Sequence, residues 1–292
     1  MEREKLDELY VTYKPFLCSF AYKMTGSMAD AEDVVQDIFL KLNEYELKNQ
    51  LNIKAFLCKL VTNRCLDVLK SAQKKRELYI GTWLPEPIVF TEKDPLQELL
   101  VKHDVSYALL LLFETLNPIE RAVFILREYL ECDYKEISEI VQKTEENCRK
   151  ILSRIKKTLP EMKKKEGVEN SEHEQMITTF IQDIRQGNTK QVMEVLKEDV
   201  VYYADGGGKV RAALKPIYGM KRIRDLLIAL AQKFIMNQEG YTMIQTKVNE
   251  SIGIVIKNQE GVQSVICFEF EGDKIKAIYN VLNPDKLRGI SL

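Results

Sequence analysis

The chain has 292 residues, which is enough for two or three compact domains. Its 43 basic and 44 acidic residues nearly cancel, which excludes a strongly basic or acidic protein and leaves ordinary globular composition. A net charge of −1 still allows nucleic acid as a partner, because clustering of basic residues matters more than their sum.

The residue types that build metal sites and catalytic triads are scarce. The six cysteines form no C-x-x-C pair, which favours reduced core thiols, and the only histidines are His103 and His173. We therefore expect no metal, no cofactor and no catalytic residue. The first residues are charged, and the longest apolar run, ALLLLF, is too short to cross a bilayer. These features predict a cytoplasmic protein without a membrane partner.

Residues 6–70 are predicted to be helical throughout. In DAEDVVQDIFLKL the apolar positions follow the i, i+1, i+4, i+5, i+8 stripe of a half-buried helix. Asp30 is expected to cap this helix, because a short acidic side chain can accept the free amide hydrogens of a first turn. A second helix is predicted from about Ile53 to Ala72, followed by a basic tail, QKKRE.

A linker is predicted over residues 77–98. The stretch GTWLPEPIVFTEKDP carries three prolines and a glycine, which break regular structure. It also contains the only tryptophan, Trp83, although disordered linkers usually lack such apolar anchors. We expect this linker to lie packed on a surface.

A helix-turn-helix is predicted in CDYKEISEIVQKTEENCRKILSRIKKTL, residues 132–159. Asp133 and Glu136 have the spacing of a capping box at the start of a helix over 134–141. The turn QKT follows, and Thr144 is expected to cap a second helix. That helix has an apolar face formed by Cys148, Ile151, Leu152 and Ile155.

The opposite face of this second helix is basic, which favours DNA binding. Lysine and arginine neutralise phosphates, and long polar side chains can reach base edges in the major groove. The candidate DNA-reading residues are Asn147, Arg149, Lys150, Ser153 and Arg154. The alternative is a pair of amphipathic helices with a solvated basic face.

The pattern changes after a polar linker over residues 161–172. The segment EHEQMITTFIQDIRQGN predicts a helix ended by Gly187, and VVYYAD, TMIQTKV, SIGIVIKN and SVICFEFEGDKIKAIYNV predict strands. One helix, IRDLLIALAQKF, interrupts them. Together these elements predict an α+β domain with a curved antiparallel sheet.

The glycine run in YADGGGKV raises the possibility of a phosphate-binding loop. A P-loop requires G-x-x-x-x-G-K-[ST] at the start of a helix, whereas here Val210 follows Lys209 and VRAALKPI has a strand-like pattern. Spacing and context therefore argue against a nucleotide site. A hairpin turn and a contact surface remain as alternatives, since glycine allows close approach of backbone.

Three segments together resemble bacterial sigma factors. DAEDVVQDIFLKL resembles their polymerase-binding helix, and AFLCKLVTNRCLDVLKSAQKKRE resembles the following helix, which opens and reads the −10 element. LNPIERAVFILREYLECDYKEISEIV and TEENCRKILSRIKKTL resemble their −35-reading domain. Order and spacing fit the extracytoplasmic-function subclass, which keeps only the second and fourth sigma domains.

The resemblance implies a role for each matching residue. Asp33, Gln36 and Asp37 fall where the family contacts the clamp helices of core RNA polymerase. Asn63 matches the asparagine near the pocket for a flipped −10 base, where an amide offers both donor and acceptor. The resemblance and their charge together assign contacts with phosphates or a separated strand to Lys70, Lys74, Lys75 and Arg76. The chain is then expected to recruit polymerase to promoter DNA and not to be an enzyme.

Further motifs resemble the subgroup with a fused SnoaL-like, NTF2-like domain, the SigJ type. These are WLPEP in the linker, NCR in the recognition helix, DGGGK, PIYGMKRIRDLL and NPDKL. The resemblance favours an intramolecular regulatory contact between this domain and the sigma domains. The residues assigned to it are Trp83, Leu84, Pro85, Asp205, Gly206, Gly207, Gly208, Lys209, Asn283, Pro284, Asp285, Lys286 and Leu287.

Other functions for the carboxy-terminal half stay open at this point. SnoaL-like domains include cyclases and hydrolases, and Asp205, Tyr202 or Tyr203 are candidate polar groups in a cone-shaped cavity. A small-molecule sensor is the more favoured of these readings. A dimeric repressor is disfavoured, because a repressor has no use for a polymerase-binding helix.

The predicted organisation is multidomain, with two all-α sigma domains and an α+β SnoaL/NTF2-like cone domain. The expected boundaries are 1–76 for sigma region 2, 77–98 for the linker, 99–160 for sigma region 4, 161–172 for the second linker and 173–292 for the regulatory domain. We expect the free protein to be a monomer.

Overall fold

The computed structural model describes residues 2–42, 52–89, 106–158, 170–236, 240–249 and 251–290. The chain divides into two compact units. The first unit consists of Met1–Glu77, Glu92–Val105 and Leu109–Lys163, and the second consists of Leu78–Thr91, Ser106–Ala108 and Lys164–Leu292. The segment that follows the first three helices therefore belongs to the second unit.

The described part of the chain up to residue 158 is mainly helical. Its helices are α1 (Glu2–Thr25), α2 (Met28–Lys41), α3 (Ile53–Glu77), α4 (Tyr107–Thr115), α5 (Pro118–Glu128), α6 (Tyr134–Val141) and α7 (Glu145–Thr158). In the first unit, α1 packs on α2 and α3, while α5, α6 and α7 pack on one another.

The start of α2 differs from the sequence prediction. The residue that caps the helix is Ser27, whose hydroxyl accepts the Asp30 amide hydrogen at 3.2 Å, so the predicted capping role of Asp30 is wrong. Gly26, with φ of +71°, ends α1 and lets the chain turn early, so α2 begins before Asp30. Asp30 instead places its negative charge in the first turn.

The helix-turn-helix has the predicted helices and caps. The Asp133 carboxylate accepts the Glu136 amide hydrogen at 2.7 Å, and the Glu136 carboxylate accepts the Asp133 amide hydrogen at 3.0 Å. Gln142, with φ of +53°, ends α6, and the Thr144 hydroxyl accepts the Asn147 amide hydrogen at 3.2 Å. The four predicted apolar residues of α7 are all buried. The basic tail after Ala72 also proved helical, since α3 continues to Glu77.

The second unit contains a six-stranded sheet with helices. Its elements in chain order are α8 (Asn170–Gln186), α9 (Thr189–Val195), β1 (Leu196–Asp205), β2 (Ile217–Tyr218), α10 (Met220–Met236), β3 (Thr242–Val248), β4 (Ser251–Asn258), β5 (Gly261–Glu271), β6 (Lys274–Val281) and α11 (Pro284–Leu287). The strand order is β2-β1-β6-β5-β4-β3.

The sheet is mixed, so the predicted wholly antiparallel sheet is wrong. β1 runs parallel to β6, with Tyr202 opposite Ile278, while the other neighbouring strands are antiparallel. Period-two alternation reports which face a residue occupies but not the direction of its neighbour, so the sequence pattern could not reveal this pairing. The strand predicted after Lys209 is also wrong, because residues 209–216 form a turn, bends and irregular backbone before β2 begins at Ile217.

The two faces of the sheet carry different partners. On β1, Tyr202 and Ala204 join the apolar core together with Ile177 and Phe180 of α8. Their neighbours Tyr203 and Asp205 point to the opposite face, because successive strand residues alternate. Residues 78–89 cover that opposite face of the sheet. Val89 forms a bridge with Val248.

The described ranges contain reduced cysteines and neither a candidate metal cluster nor a helix suited to a membrane. The six cysteines are free thiols, and burial raises the pKa of Cys18 and of Cys58 to about 12, which keeps them protonated near neutral pH. The described side chains contain no cluster of three or more metal-ligating residues. None of the helices described here combines the length and apolarity needed to cross a membrane.

Candidate functional site

The face of α2 opposite the core presents the three residues assigned to polymerase binding. Asp33 and Gln36 are exposed, whereas Val34, Val35 and Ile38 are buried. Asp37 differs from a plain solvated acid, because its carboxylate accepts two hydrogen bonds from the Arg64 guanidinium on α3, at 2.7 and 3.1 Å. Asp37 therefore ties α2 to α3 in addition to facing solvent.

The residues assigned to the −10 element lie along α3. Asn63 is exposed, and its side-chain amide makes no hydrogen bond with any described residue, so both its donor and its acceptor are available. Lys70 is also exposed and lies 3.5 Å from the Asp67 carboxylate. Lys74, Lys75 and Arg76 fall within α3, but their side chains lie outside the described part of the structure.

The exposed side of α7 carries the residues assigned to the −35 element: Asn147, Arg149, Lys150, Ser153 and Arg154. Three of them are ion-paired. Arg149 pairs with Glu145 at 2.8 Å and lies over the Tyr134 ring, and Lys150 pairs with Glu146 at 2.7 Å. Arg154 pairs with Glu120 of α5.

These ion pairs were not predicted from the sequence. The i, i+4 spacing to Arg149 and Lys150 could have revealed two of them. The pair with Glu120 could not be found in this way, because it joins two helices. The basic side chains of α7 are therefore partly neutralised by carboxylates of α5 and of α7 itself.

Two cations lie where the helices of the first unit meet. Arg121 of α5 is 2% exposed and donates to the Met24 carbonyl of α1 at 2.6 Å and to Glu114 at 2.9 Å. Lys23, also of α1, lies 5.8 Å from the Tyr129 ring centre. α3 additionally contacts α5 and α6. The amino-terminal helices and the helix-turn-helix region thus share one packed interior.

The residues assigned to a regulatory contact come together in the second unit around the Asp205 carboxylate. This carboxylate is fully buried and accepts four hydrogen bonds. One oxygen accepts from the Tyr79 hydroxyl at 2.6 Å and the Gly207 amide at 3.0 Å. The other accepts from the Leu84 amide at 2.9 Å and the Lys286 ammonium at 2.7 Å. We call this arrangement, formed by Asp205 and its four donors, the carboxylate clamp.

The carboxylate clamp joins three separate stretches of the chain. Tyr79 and Leu84 belong to the segment 78–89, Gly207 to the glycine loop, and Lys286 to α11. Lys286 also donates to the Leu84 carbonyl and lies over the Trp83 ring, with 4.1 Å to the ring centre. Burial and the hydrogen bond to Asp205 raise the pKa of Tyr79, so its hydroxyl stays protonated and keeps donating.

Two glycines of the loop are required where it meets its neighbours. Gly207 has φ of +60°, and a Cβ there would lie 2.4 Å from the Asn283 amide nitrogen. Gly208 has φ of +71°, and a Cβ there would lie 3.0 Å from Ile80. The loop is therefore closely packed against Ile80 and Asn283 within the second unit.

The remaining residues assigned to the contact surround the carboxylate clamp. The Asn283 amide donates to the Tyr79 hydroxyl at 2.9 Å and caps α11. Lys209 pairs with Asp285 at the surface. Leu84, Pro85 and Leu287 are buried, Gly206 begins the loop, and Pro284 is exposed in the first turn of α11.

Tyr107 was not predicted from the sequence to take part in this contact. Its hydroxyl donates to the Pro85 carbonyl at 2.8 Å.

The three residues considered as polar groups of a cavity separate in the structure. Tyr202 lines a cavity on the helix-covered face of the sheet. Tyr203 stacks on Tyr279, and Asp205 lies in the carboxylate clamp, both on the other face. The proposed use of Tyr203 and Asp205 inside the cavity is therefore wrong, because strand alternation directs them away from it.

Comparison with known proteins agrees with this arrangement. Residues 9–75 match the family model Sigma-70 region 2, and residues 106–159 match Sigma-70, region 4. The ECF RNA polymerase sigma factor SigJ of Mycobacterium tuberculosis (strain ATCC 25618 / H37Rv) is 28% identical over 286 residues, covering 94% of this chain and 91% of that protein. A probable ECF RNA polymerase sigma factor, SigI, of the same organism is 26% identical over 201 residues, covering 68% and 69%.

The crystal structure of Mycobacterium tuberculosis SigJ superposes with a TM-score of 0.79 at 25% identity, covering 98% of this chain and 99% of that one. Helical sigma regions 2 and 4 followed by a mixed-sheet domain thus define a transcription initiation factor of the sigma-70 class. The chain has the two Sigma-70 regions of an extracytoplasmic-function RNA polymerase sigma factor and resembles SigJ over nearly its whole length, including the carboxy-terminal mixed-sheet domain. This confirms the family and the fold class predicted from the sequence. Sigma factors bind core RNA polymerase and promoter DNA, so the matched family is one of transcription regulators.

Replacing Asp205 with Asn is expected to destabilise the second unit by about 3 kcal/mol. The substitution removes the carboxylate that pairs with Lys286, whose side chain is only 12% exposed. The new Asn side chain also places an NH2 group against groups that are themselves hydrogen-bond donors. The measurement is thermal and urea unfolding of the full chain, followed by near-ultraviolet circular dichroism.

The matched control is Asp285→Asn, which removes one negative charge from a surface pair. Its side chain is 43% exposed, so solvent screens its pairing with Lys209, and a loss below about 1 kcal/mol is expected. Equal losses in the two variants would contradict the special role of the buried carboxylate.

Proposed function

We propose that the second unit regulates the sigma domains of the same chain by holding the segment that connects them. In sequence, residues 78–89 lie between the regions matched to Sigma-70 regions 2 and 4. A sigma factor must place these two regions on separate promoter elements. Binding of the segment between them by the second unit therefore limits the positions that the two regions can adopt. The SnoaL-like domain then takes the place of a separate inhibitor protein.

The observation that carries this proposal is the carboxylate clamp. One buried carboxylate accepts hydrogen bonds from both the connecting segment and α11, so opening the contact exposes or orphans an ionised group. A buried charge favours one arrangement of the contact, because only the complete set of four donors offsets the cost of desolvating the carboxylate. The contact can therefore act as a latch with two discrete states, closed and open.

The free energy needed for such regulation is modest. A difference of a few kcal/mol between closed and open states decides which one is populated. The domain is tethered to the sigma regions, which keeps it at high effective concentration and allows a weak contact to hold. Because the contact lies within one chain, we also propose that the free factor is a monomer, located in the cytoplasm where core polymerase works.

Opening the latch is expected to raise transcription. Gly207→Trp places a ring against Asn283, and a chain ending at Leu282 lacks α11 and Lys286. Both are expected to increase output several-fold from a cognate promoter in transcription reactions with saturating core polymerase. The control is Gly289→Trp, because a Cβ at Gly289 meets no atom within 4 Å and requires no unusual backbone angle. Equal output from all four proteins at equal stability would dismiss the latch.

We further propose that Asp33, Gln36 and Asp37 bind the clamp helices of core polymerase. Asp33 and Gln36 are exposed, and Asp37 keeps about two fifths of its side chain in solvent while paired with Arg64. The three side chains can therefore contact a partner without rearrangement of α2.

Replacing all three residues with Ala is expected to weaken core binding at least about tenfold, because exposed polar contacts are lost while the buried face of α2 is kept. Binding is measured by fluorescence anisotropy of labelled sigma factor titrated with core polymerase. Glu8→Ala, an exposed acid on α1, is the control for lost negative charge. Native-like circular dichroism with undiminished core binding would overturn this assignment.

For the −10 element we propose that Asn63 hydrogen-bonds a flipped base. Its exposed amide has a donor and an acceptor that no described residue occupies, and the edge of an unpaired base requires both. Lys70, Lys74, Lys75 and Arg76 then follow the strand through its phosphates, since they continue along the same helix.

For the −35 element we propose that α7 reads bases with Arg149 and its exposed neighbours Asn147, Lys150, Ser153 and Arg154. Arg149 is supported by the Tyr134 ring and by Glu145, so its guanidinium is held extended at the helix surface. Lys156, at the end of α7, pairs with Glu128 and fits a phosphate contact.

Two substitutions separate base reading from phosphate binding. Arg149→Ala is expected to weaken promoter binding by about 1–3 kcal/mol and to relax the preference at one position. Lys156→Ala is expected to weaken binding evenly across sequences and to reduce its salt dependence. Both are measured by anisotropy on a set of −35 variants at two salt concentrations. If the two changes lower affinity equally for every −35 variant, direct reading by Arg149 is wrong.

A further inference from the structure

A cavity of about 510 Å³ lies in the second unit between the sheet and helices α8 and α10. Its size falls within the range of sites for small organic molecules. The wall is apolar and is built by residues such as Phe180, Leu227, Met243, Ile254, Ile266 and Phe268. Leaving such a surface unfilled forgoes the packing contacts that stabilise a protein interior, so a space of this size suits an apolar occupant.

Three buried polar side chains, joined by hydrogen bonds, interrupt this apolar wall. The Ser264 hydroxyl donates to the Asn280 carboxamide oxygen, and the Asn280 amide donates to the Tyr202 hydroxyl at 2.8 Å. All three line the cavity, and they are 2%, 6% and 4% exposed respectively. Burial raises the pKa of Tyr202, so its phenol is neutral and able to donate.

The three side chains have more donor hydrogens than they have acceptors among themselves. Two hydroxyls and one carboxamide carry four hydrogens and form two hydrogen bonds, and no other described side chain accepts from them, which leaves one hydroxyl hydrogen and one amide hydrogen over. With the amide as described, the Tyr202 hydroxyl hydrogen has no acceptor. With the amide turned over, the spare hydroxyl hydrogen is that of Ser264. In either arrangement a buried hydroxyl in the cavity wall lacks an acceptor, which costs free energy until something supplies one.

The cavity wall also includes two arginines at its solvent-facing side. Arg185 of α8 and Arg211, in the loop after β1, both line the cavity and are both exposed. Neither forms an ion pair with any residue in the described ranges. Two positive charges at the entrance attract an anionic group, and a guanidinium suits a carboxylate in geometry as well as charge.

We propose that this cavity binds a small amphipathic carboxylic acid whose aliphatic chain ends in a hydroxyl or carbonyl oxygen. The aliphatic part of the acid fills the apolar space, and its carboxylate lies at the two arginines. Its terminal oxygen accepts the spare hydroxyl hydrogen of Tyr202 or Ser264. The described residues of the wall include no Asp, Glu, His, Lys or Cys, so the cavity offers no side chain suited to carboxylate, imidazole, amine or thiol chemistry. It is a site for binding, which favours a sensor over a cyclase or hydrolase.

The test uses the full-length chain without polymerase or DNA, so its outcome is independent of the latch. Decanoate and 10-hydroxydecanoate are the probes, and binding is measured by isothermal titration calorimetry. We expect one molecule of either acid per chain, with the hydroxylated acid bound roughly three- to tenfold tighter because it satisfies the buried donor. Tyr202→Phe combined with Ser264→Ala is expected to remove that preference and to keep decanoate binding.

Three further variants make the outcome decisive. Tyr203→Phe, on the same strand but on the other face, is the matched control and is expected to keep the preference. Arg185→Gln with Arg211→Gln is expected to weaken both acids at least about fivefold, with a smaller effect at high salt. Leu227→Trp places a larger ring in the cavity and is expected to abolish binding. All variants are first compared by thermal unfolding and circular dichroism.

Several results would overturn the proposal. These are the absence of saturable binding of either acid by the folded protein at millimolar concentration, binding that persists unchanged in folded Leu227→Trp, and a hydroxyl preference that survives loss of both cavity hydroxyls. Should Leu227→Trp fail to fold, the comparison of the hydroxyl double variant with Tyr203→Phe still decides, since neither removes apolar bulk.

Discussion

The buried carboxylate of Asp205 is the interaction on which the organisation of the second unit depends. An ionised group without solvent contact is tolerated only when its hydrogen-bonding capacity is filled, and here four donors fill it. Two of those donors come from a segment that sequence order assigns to the connection between sigma regions. The requirement to satisfy one charge thus brings that connection, the glycine loop and α11 into a single site, and it explains why three motifs distant in sequence occur together.

Much of the helical half could be predicted, because its signals are local. The capping box of Asp133 and Glu136 and the apolar face of α7 depend on residues within one or two turns, and the structure has both. The cap of α2 was assigned to Asp30 instead of Ser27, since both are good caps and only the turn at Gly26 decides where α1 ends. The parallel pairing of β1 with β6 escaped detection because it joins strands about 70 residues apart, whose periodicity carries no directional information.

The candidate sites show the same division between local and tertiary signals. The exposed positions of Asp33, Gln36 and Asn63 follow from helical periodicity. The ion pairs of Arg154 with Glu120 and of Asp37 with Arg64 join different helices, so a single sequence cannot show them. These pairs matter for mechanism, because the electrostatic field of the first unit includes carboxylates that moderate its basic surfaces. A partner that bound Asp37 or Arg154 would exchange an existing ion pair for a new one instead of pairing with a solvated charge.

Strand β1 has a consequence for how this protein can change through evolution. Tyr202 faces the cavity and Asp205 faces the carboxylate clamp, and they are three residues apart on one strand. Insertion or deletion of one residue between them would exchange inward and outward positions, so that a charge would enter the apolar cavity and the clamp would lose its acceptor. The wall of the cavity and the carboxylate clamp are therefore constrained together, as the two sides of one strand.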